Sequence, residues 1–403
     1  MNILVIAPYY APSSEVPSVR MVSLTTYLIK QGHQVTVVCW SKEKLLTLYK
    51  EGELNSKIPE GVKTIGINFK NKTIPIIDDL LFGIKLKKFL AKQLDENEYD
   101  VAFVTCGPYF SLEAMPYLKR RYSIKYLLDF RDLGALNYRP RLGTEGKKVN
   151  TVWWKKLING WYHKKVSIRE KNAVENADGI ICVSPIDKEK MQEAYNIPEE
   201  KCIIATNGFD DIKLNSIVPN EKEQGIVGAV FGKFMYYSRS RAEALLIGID
   251  KQRKKGVDIK LRHIGRNYDY IDEAIERNHI DPKTFEKVGL KEYSEGMAIL
   301  GASDFFVVED TSPDDVGTKI YDYIYWNKPI IAATPKNIPL AKLVSTFEHG
   351  YVCETPEEID EAISDIVING YSVLDSNLDI LKYSRTYQNQ KMEQIMFDTI
   401  SRR

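Results

Sequence analysis

Continuous apolar runs alternate along this chain with stretches of helical period. Residues 3–7 form the first run, the pattern of a strand buried on both faces of a parallel sheet. A loop rich in Pro and Ser follows. Val22, Leu24, Tyr27 and Leu28 then fall at helical spacing, Gly32 closes the helix, and residues 35–39 give the next strand. The alternation recurs at 101–105, 126–129, 179–183 and 202–205. A polar, proline-containing stretch at 212–225 reads as a linker. A second series follows, with strands predicted at 228–231, 258–264, 305–308 and 329–332 and helices at 242–254, 295–301, 318–326 and 356–367. The expected class is α/β, with two doubly wound, Rossmann-like domains facing each other across a cleft. Domain 1 spans 1–211, domain 2 spans 226–380, and a C-terminal helix at 381–403 packs back towards domain 1.

At 403 residues, with 44% hydrophobic and 28% charged residues, the chain can fill two cores and is not disordered. The cysteines Cys39, Cys106, Cys182, Cys202 and Cys353 are odd in number and scattered, which argues against a disulfide framework and a structural zinc site and fits a reducing cytoplasm. The opening run lacks a basic flank and stops at Pro8, so no signal peptide is expected, and no run is long enough to span a membrane. The net charge of +1 hides an asymmetry: residues 1–200 hold 30 Lys/Arg against 23 Asp/Glu, and residues 201–403 hold 26 against 32. Two domains with different partners would produce this.

Candidate chemistry concentrates in domain 2. After the strand at 305–308, a loop carries Asp314 and Asp315, Gly317 is expected to open a helix through Val316 and Thr318, and Asp322 lies on that helix. A glycine at a helix start permits close backbone approach, and the unpaired N–H groups there form an anion site. Asp322 could accept hydrogen bonds from a ribose diol while phosphates rest on the helix start, and Asp314 would face the other end of that ligand. The alternative is ordinary helix-start carboxylates and a solvated face. Gly232, Lys233, Arg239 and Arg241 follow the domain's first strand and supply close approach plus cations for a diphosphate.

These residues resemble glycosyltransferase family 4, whose members have the GT-B fold. The resemblance covers nearly the whole chain: the opening strand and the 8–20 loop, Gly32-His33, Tyr99-Asp100, Asp129 to Asp132, Ala177-Asp178, Asn207-Gly208, Gly265-Arg266, Val288-Gly289 and Ala302 to Asp304. The family signature is two glutamates separated by seven residues. Asp314 and Asp322 have that spacing, with Gly317 on the motif's glycine. The resemblance implies that Asp322 holds the ribose of a nucleotide-sugar and that Asp314 touches the donor sugar. It further implies that Lys233 and Arg239 serve the diphosphate and that Arg266 and Leu290 lie near the base. Three departures stand out. Aspartates replace both glutamates, Ser13-Ser14 replaces a glycine pair, and Thr105 stands where many members place a histidine.

The resemblance thus implies a retaining hexosyltransferase that uses a nucleoside diphosphate sugar, by family habit UDP-linked, in cell-surface polysaccharide or glycoconjugate synthesis. Charge developing on the departing diphosphate would be met by Lys233, Arg239 and the amides around Gly317. No cofactor and no divalent metal are expected, since the sequence contains no Asp-x-Asp and its five histidines lack ligand spacing. The acceptor, a glycan or a polyprenyl-diphosphate-linked sugar, would meet Ser14, Thr105, Arg131 and Asp132. The rival for Asp129, Arg131 and Asp132 is an ion pair stiffening a strand end. Residues 147–171 interleave eight Lys/Arg with three Trp and a Tyr. They read either as a peripheral contact with the anionic inner face of the plasma membrane or as a surface helix whose tryptophans pack inward. Nucleic acid is not an expected partner. Two other readings of the whole chain are a catalytically inactive GT-B partner of another enzyme, and a sugar-nucleotide epimerase or hydrolase.

Overall fold

The structure is a computed structural model and describes residues 1–13, 16–50, 54–71, 75–137, 153–266, 268–314, 316–369 and 379–402. It forms two compact units. The first comprises Met1–Thr206 and Gln388–Arg403, the second Asn207–Tyr387. Residues 212–225 therefore belong to the second unit. There the short helix Asp211–Leu214 buries Leu214 in an apolar cluster with Phe209 and Tyr323.

The first unit is built on seven parallel strands: β1 (Asn2–Ile6), β2 (Gln34–Trp40), β3 (Lys63–Ile67), β4 (Val101–Cys106), β5 (Lys125–Phe130), β6 (Gly179–Cys182) and β7 (Cys202–Ile204). Their spatial order is β3-β2-β1-β4-β5-β6-β7. The apolar runs are continuous because both faces are covered. Val5, Phe103 and Leu127 pack under Met21 and Leu24 of the helix Val16–Lys30 and under Met392 and Met396 of the helix Arg385–Ser401. Leu4, Val104 and Leu128 pack under Phe82, Leu86 and Leu90 of the helix Pro75–Glu96.

The second unit has six parallel strands: β8 (Ile226–Phe231), β9 (Ile259–Ile264), β10 (Phe285–Lys287), β11 (Phe305–Glu309), β12 (Ile330–Ala333) and β13 (Gly350–Cys353). Their order is β10-β9-β8-β11-β12-β13. Three strands absent from the sequence reading, β3, β10 and β13, are all sheet edges. An edge strand is half solvated: β3 buries only Ile67 fully and β13 only Cys353. Such strands show no unbroken apolar run.

Each sheet reverses its strand order once, between β1 and β4 and between β8 and β11. Ligands of doubly wound sheets sit at the carboxyl ends of the strands flanking such a reversal. β8 and β11 stay in register for only two pairs, Phe305 with Gly228 and Phe306 with Ala229, whereas β8 and β9 pair along six. The carboxyl halves of β8 and β11 therefore diverge at the switch point. All five cysteines are free and buried.

Candidate active site

Several segments converge at the carboxyl edge of the second sheet. β8 ends at Phe231 and turns through Gly232, whose φ of +80° favours glycine. The Gly232 N–H donates to Ile264 O at 2.8 Å, and its carbonyl accepts from His263 Nε2 at 2.7 Å. Burial holds His263 below the usual histidine range, so it stays neutral with its proton on Nε2.

β11 ends at Glu309 and Asp310. Asp310 Oδ1 accepts from the N–H groups of Thr311 and Ser312 at 2.7 and 2.9 Å, which folds the following loop. That loop carries Asp314, whose N–H lies 3.5 Å from Ser312 Oγ, then Val316 and Gly317. Asp315 lies outside the described residues. The helix runs Lys319–Trp326, two residues later than expected from Gly317, with Thr318 as its cap residue in right-handed geometry. Helix ends often shift by this much, and the result places Asp322 in the first turn.

Asp322 Oδ1 accepts from the Tyr293 hydroxyl at 2.8 Å. Burial pushes the Asp322 carboxyl up to about 6, against the Tyr293 hydrogen bond and the positive charge of Arg385, with Asp210 adding to the rise. Tyr323, one residue on, accepts from the Phe231 N–H at 3.0 Å and ties the helix to β8.

Gly317 has an ordinary φ, and an added Cβ would meet only Asp310 Oδ2, at 3.9 Å. No described residue demands a glycine there. The open space above the loop suits an incoming ligand. Gly317→Ala is expected to leave the melting temperature unchanged within about 2 °C while weakening nucleotide binding about tenfold, as expected for a lost close approach. Calorimetric titration alongside thermal unfolding checks both halves.

The cations are held in different ways. Lys233 is exposed, with its ammonium 4.0 Å from the centre of the Tyr236 ring, and Arg239 is exposed, with its guanidinium 3.4 Å from the centre of the Tyr270 ring. Such exposed contacts are worth only about 0.5–1 kcal/mol each and are easily surrendered to a phosphate. Arg241 is already engaged, donating to the Glu354 carbonyl at 2.6 Å and its carboxylate at 3.1 Å. Arg266 and Leu290 are exposed in the turns beyond β9 and β10.

The sequence reading missed Lys319, Glu309 and Tyr293. Lys319 Nζ lies 3.3 Å from Glu309 Oε2 and 3.1 Å from the Lys233 carbonyl. Glu309 is fully buried, its Oε1 lacks a partner among the described residues, and burial raises its carboxyl pKa. A lysine at the first helical position opposes the helix dipole, and that mismatch was the available signal.

In the first unit, the strand-end ion pair exists but has a different cation. Asp129 pairs with Arg20, at 2.8 Å from Nη2 and 3.1 Å from Nε, and not with Arg131. Arg20 also donates to the carbonyls of Thr206 and Ala205 at 2.8 and 2.9 Å. Around this tie several polar atoms are buried without hydrogen-bond partners among the described residues: Ser18 Oγ, Thr105 Oγ1, Thr206 Oγ1 and Arg131 Nε. Burial holds Arg131 below the usual arginine range. Asp132 is exposed, and its carbonyl accepts from the Tyr109 hydroxyl at 2.6 Å. Ser14 lies outside the described residues. So do residues 147–152 of the basic aromatic stretch and the Trp154 side chain. Trp153 and Trp161 point outward, 72% and 50% exposed, so these two tryptophans do not pack inward as the alternative required.

No curated protein matches the chain in sequence. A glycosyltransferase from Rickettsia africae has a similar structure, with a TM-score of 0.65 at 16% identity over 100% of this chain and 99% of that one. So has Anabaena Alr3699/HepE, solved in complex with UDP, with a TM-score of 0.61 at 13% identity over 99% and 100% of the two chains. WaaG, a glycosyltransferase involved in lipopolysaccharide biosynthesis, gives 0.61 at 13% identity over 98% and 99%. The family model "Glycosyltransferase Family 4" matches residues 18–212. Residues 18–212 thus resemble glycosyltransferase family 4, and the two parallel α/β sheets have the GT-B fold that these solved structures share.

Proposed function

We propose that the protein transfers a sugar from a nucleoside diphosphate sugar to a glycan or lipid-linked acceptor with retention of anomeric configuration, in assembly of a cell-surface polysaccharide or glycoconjugate. The observation that carries this reading is the edge of the second sheet. Asp322, held by Tyr293, is suited to a ribose diol, and Gly317 leaves room for a diphosphate beside it. Among the described residues, the Lys233 and Arg239 side chains are held only by ring contacts that a phosphate can replace.

When the glycosidic bond breaks, negative charge grows on the departing diphosphate. Lys233, Arg239 and the N–H groups of Val316 to Thr318 would stabilise it, which requires no metal ion. Lys319 adds a third cation, partly neutralised by Glu309. Asp314 would orient the sugar through its hydroxyls. Retention follows if the acceptor attacks on the face the diphosphate leaves and passes its proton to the leaving phosphate oxygen.

The acceptor reading rests on the first unit. Four polar atoms without partners among the described residues, near the carboxyl edge of one sheet, are what a polyhydroxylated ligand can satisfy. Thr105, Arg131 and Asp132 are the side chains assigned to it.

UDP is the nucleotide proposed, by family resemblance and because a structural relative was solved with it. A thermal-shift series with UDP, GDP and ADP tests this. A ligand held at a hundred times its dissociation constant stabilises the folded state by about 2.7 kcal/mol, so UDP should raise the melting temperature most. No shift with any of the three would refute donor binding. A shift without turnover of any UDP-sugar would favour the inactive-partner reading, and acceptor-independent turnover would favour the epimerase or hydrolase.

The pH profile gives a separate check. With its pKa near 6, Asp322 becomes protonated as pH falls below that value and can no longer accept two hydroxyl hydrogen bonds as a carboxylate. The donor KM should therefore rise below about pH 6, by about tenfold per further pH unit. Initial-rate measurements from about pH 5 to 8 (about one unit below the transition and two above it) would show this, and the inflection should vanish in Asp322→Asn.

A further inference from the structure

We propose that the outer face of the helix Trp153–Asn176 docks on an anionic lipid bilayer, an interaction separate from the transfer chemistry. The helix carries apolar residues on two opposite faces. Its inner face is fixed in the first unit. Tyr162 and Val166 pack with Ile76 and Ala135, and Arg169 pairs with Asp79 at 2.7 Å and Glu113 at 3.2 Å. Glu170 accepts from the Ala135 N–H at 2.9 Å and the Tyr195 hydroxyl at 2.7 Å.

The outer face keeps four large apolar side chains in solvent: Trp153 at 72%, Leu157 at 64%, Trp161 at 50% and Ile168 at 55% exposure. At 100° per residue these four fall within about 80° of one another, in a stripe about 22 Å long. Lys164 and Lys171 lie within the stripe, and Lys156 and Lys165 flank it, all exposed. Between Trp153 and Asn172 the only carboxylate is Glu170, and it is fully buried.

Tryptophans and aliphatic residues in a row, edged by lysines, with the first exposed acid, Glu175, beyond Ile168 and paired with Lys171 at 3.7 Å, suit the interface of a bilayer with negative headgroups. The lysines can keep their ammonium groups at headgroup level while their stems lie along the apolar stripe. Because the inner face already fixes the helix, docking requires no folding step. A second copy of the chain is a poorer occupant, since a two-fold contact would set lysine against lysine. Nucleic acid would use the lysines and leave the tryptophans and Leu157 wet. Among the described residues no helix is long and apolar enough to cross a membrane, so the contact would be peripheral.

The test is flotation of the full-length protein with phosphatidylcholine vesicles and with vesicles that also contain phosphatidylglycerol. Binding is expected to the anionic vesicles alone and to weaken with salt. Lys156→Glu with Lys164→Glu should lower it by at least about tenfold. Trp153→Ser with Trp161→Ser should lower it too and remove the quenching of tryptophan fluorescence by brominated acyl chains. Both double variants change exposed positions, and unaltered thermal unfolding will show that they fold. Failure of the wild-type protein to float with anionic vesicles overturns the proposal. So does binding that neither double variant weakens, or a dimer or oligonucleotide complex that depends on these residues without lipid binding.

Discussion

Replacing Asp322 by asparagine is expected to weaken donor binding by about a hundredfold or more, the largest functional loss of any single substitution in the second unit. Hydrogen bonds from two adjacent hydroxyls to a carboxylate are worth about 1.5–3 kcal/mol each, and a neutral acceptor that must pair with them imperfectly loses much of both. Asparagine keeps the size of the side chain and can still accept from Tyr293, so the helix Lys319–Trp326 should stay in place. Calorimetric titration with nucleotide gives the affinity, and steady-state rates show whether the loss lies in the donor KM. Tyr293→Phe makes a graded comparison. It removes one hydrogen bond to Asp322 and leaves the carboxylate, so its effect should be smaller. An Asp322→Asn protein that binds nucleotide as well as the wild type would remove Asp322 from the donor site.

Arg20→Ala should cost about 3–5 kcal/mol of stability, because it strands Asp129 as an uncompensated buried charge. The two side chains are 7% and 0% exposed, and the guanidinium also satisfies the carbonyls of Ala205 and Thr206. One residue thereby joins the helix Val16–Lys30 to the carboxyl ends of β5 and β7. Urea unfolding would read the loss. The double variant Arg20→Met, Asp129→Leu should recover much of it, since apolar replacement of a buried pair is often close to neutral. A single variant as stable as the wild type would show that the tie does not hold the sheet edge.

The repeating strand and helix pattern was legible because interior parallel strands are buried on both faces. β1, β4, β5, β8 and β11 each announce themselves as apolar runs. β3, β10 and β13 do not, because an edge strand spends half its residues on solvent. Within the candidate site, the spacing of Asp314, Gly317 and Asp322 is local in sequence and could be read there. The hydrogen bond from Tyr293 to Asp322 and the pairing of Lys319 with Glu309 depend on how a helix and a strand end pack, and no local spacing encodes them. The partner of Asp129 is the sharpest case. Arg131 is two residues away and Arg20 is 109 away, yet Arg20 makes the bond. The outward direction of Trp153 and Trp161 was likewise undecided until the helix acquired an inner face.

Thiol chemistry follows from one feature of the fold. Cys39, Cys106, Cys182 and Cys202 lie in the first unit and Cys353 in the second, and all five are buried. The native protein should therefore react slowly with a maleimide. Under rising denaturant, four equivalents of label should report the opening of one unit and a single equivalent the opening of the other. Peptide mapping of the modified sites would then show which unit melts first, without any engineered probe.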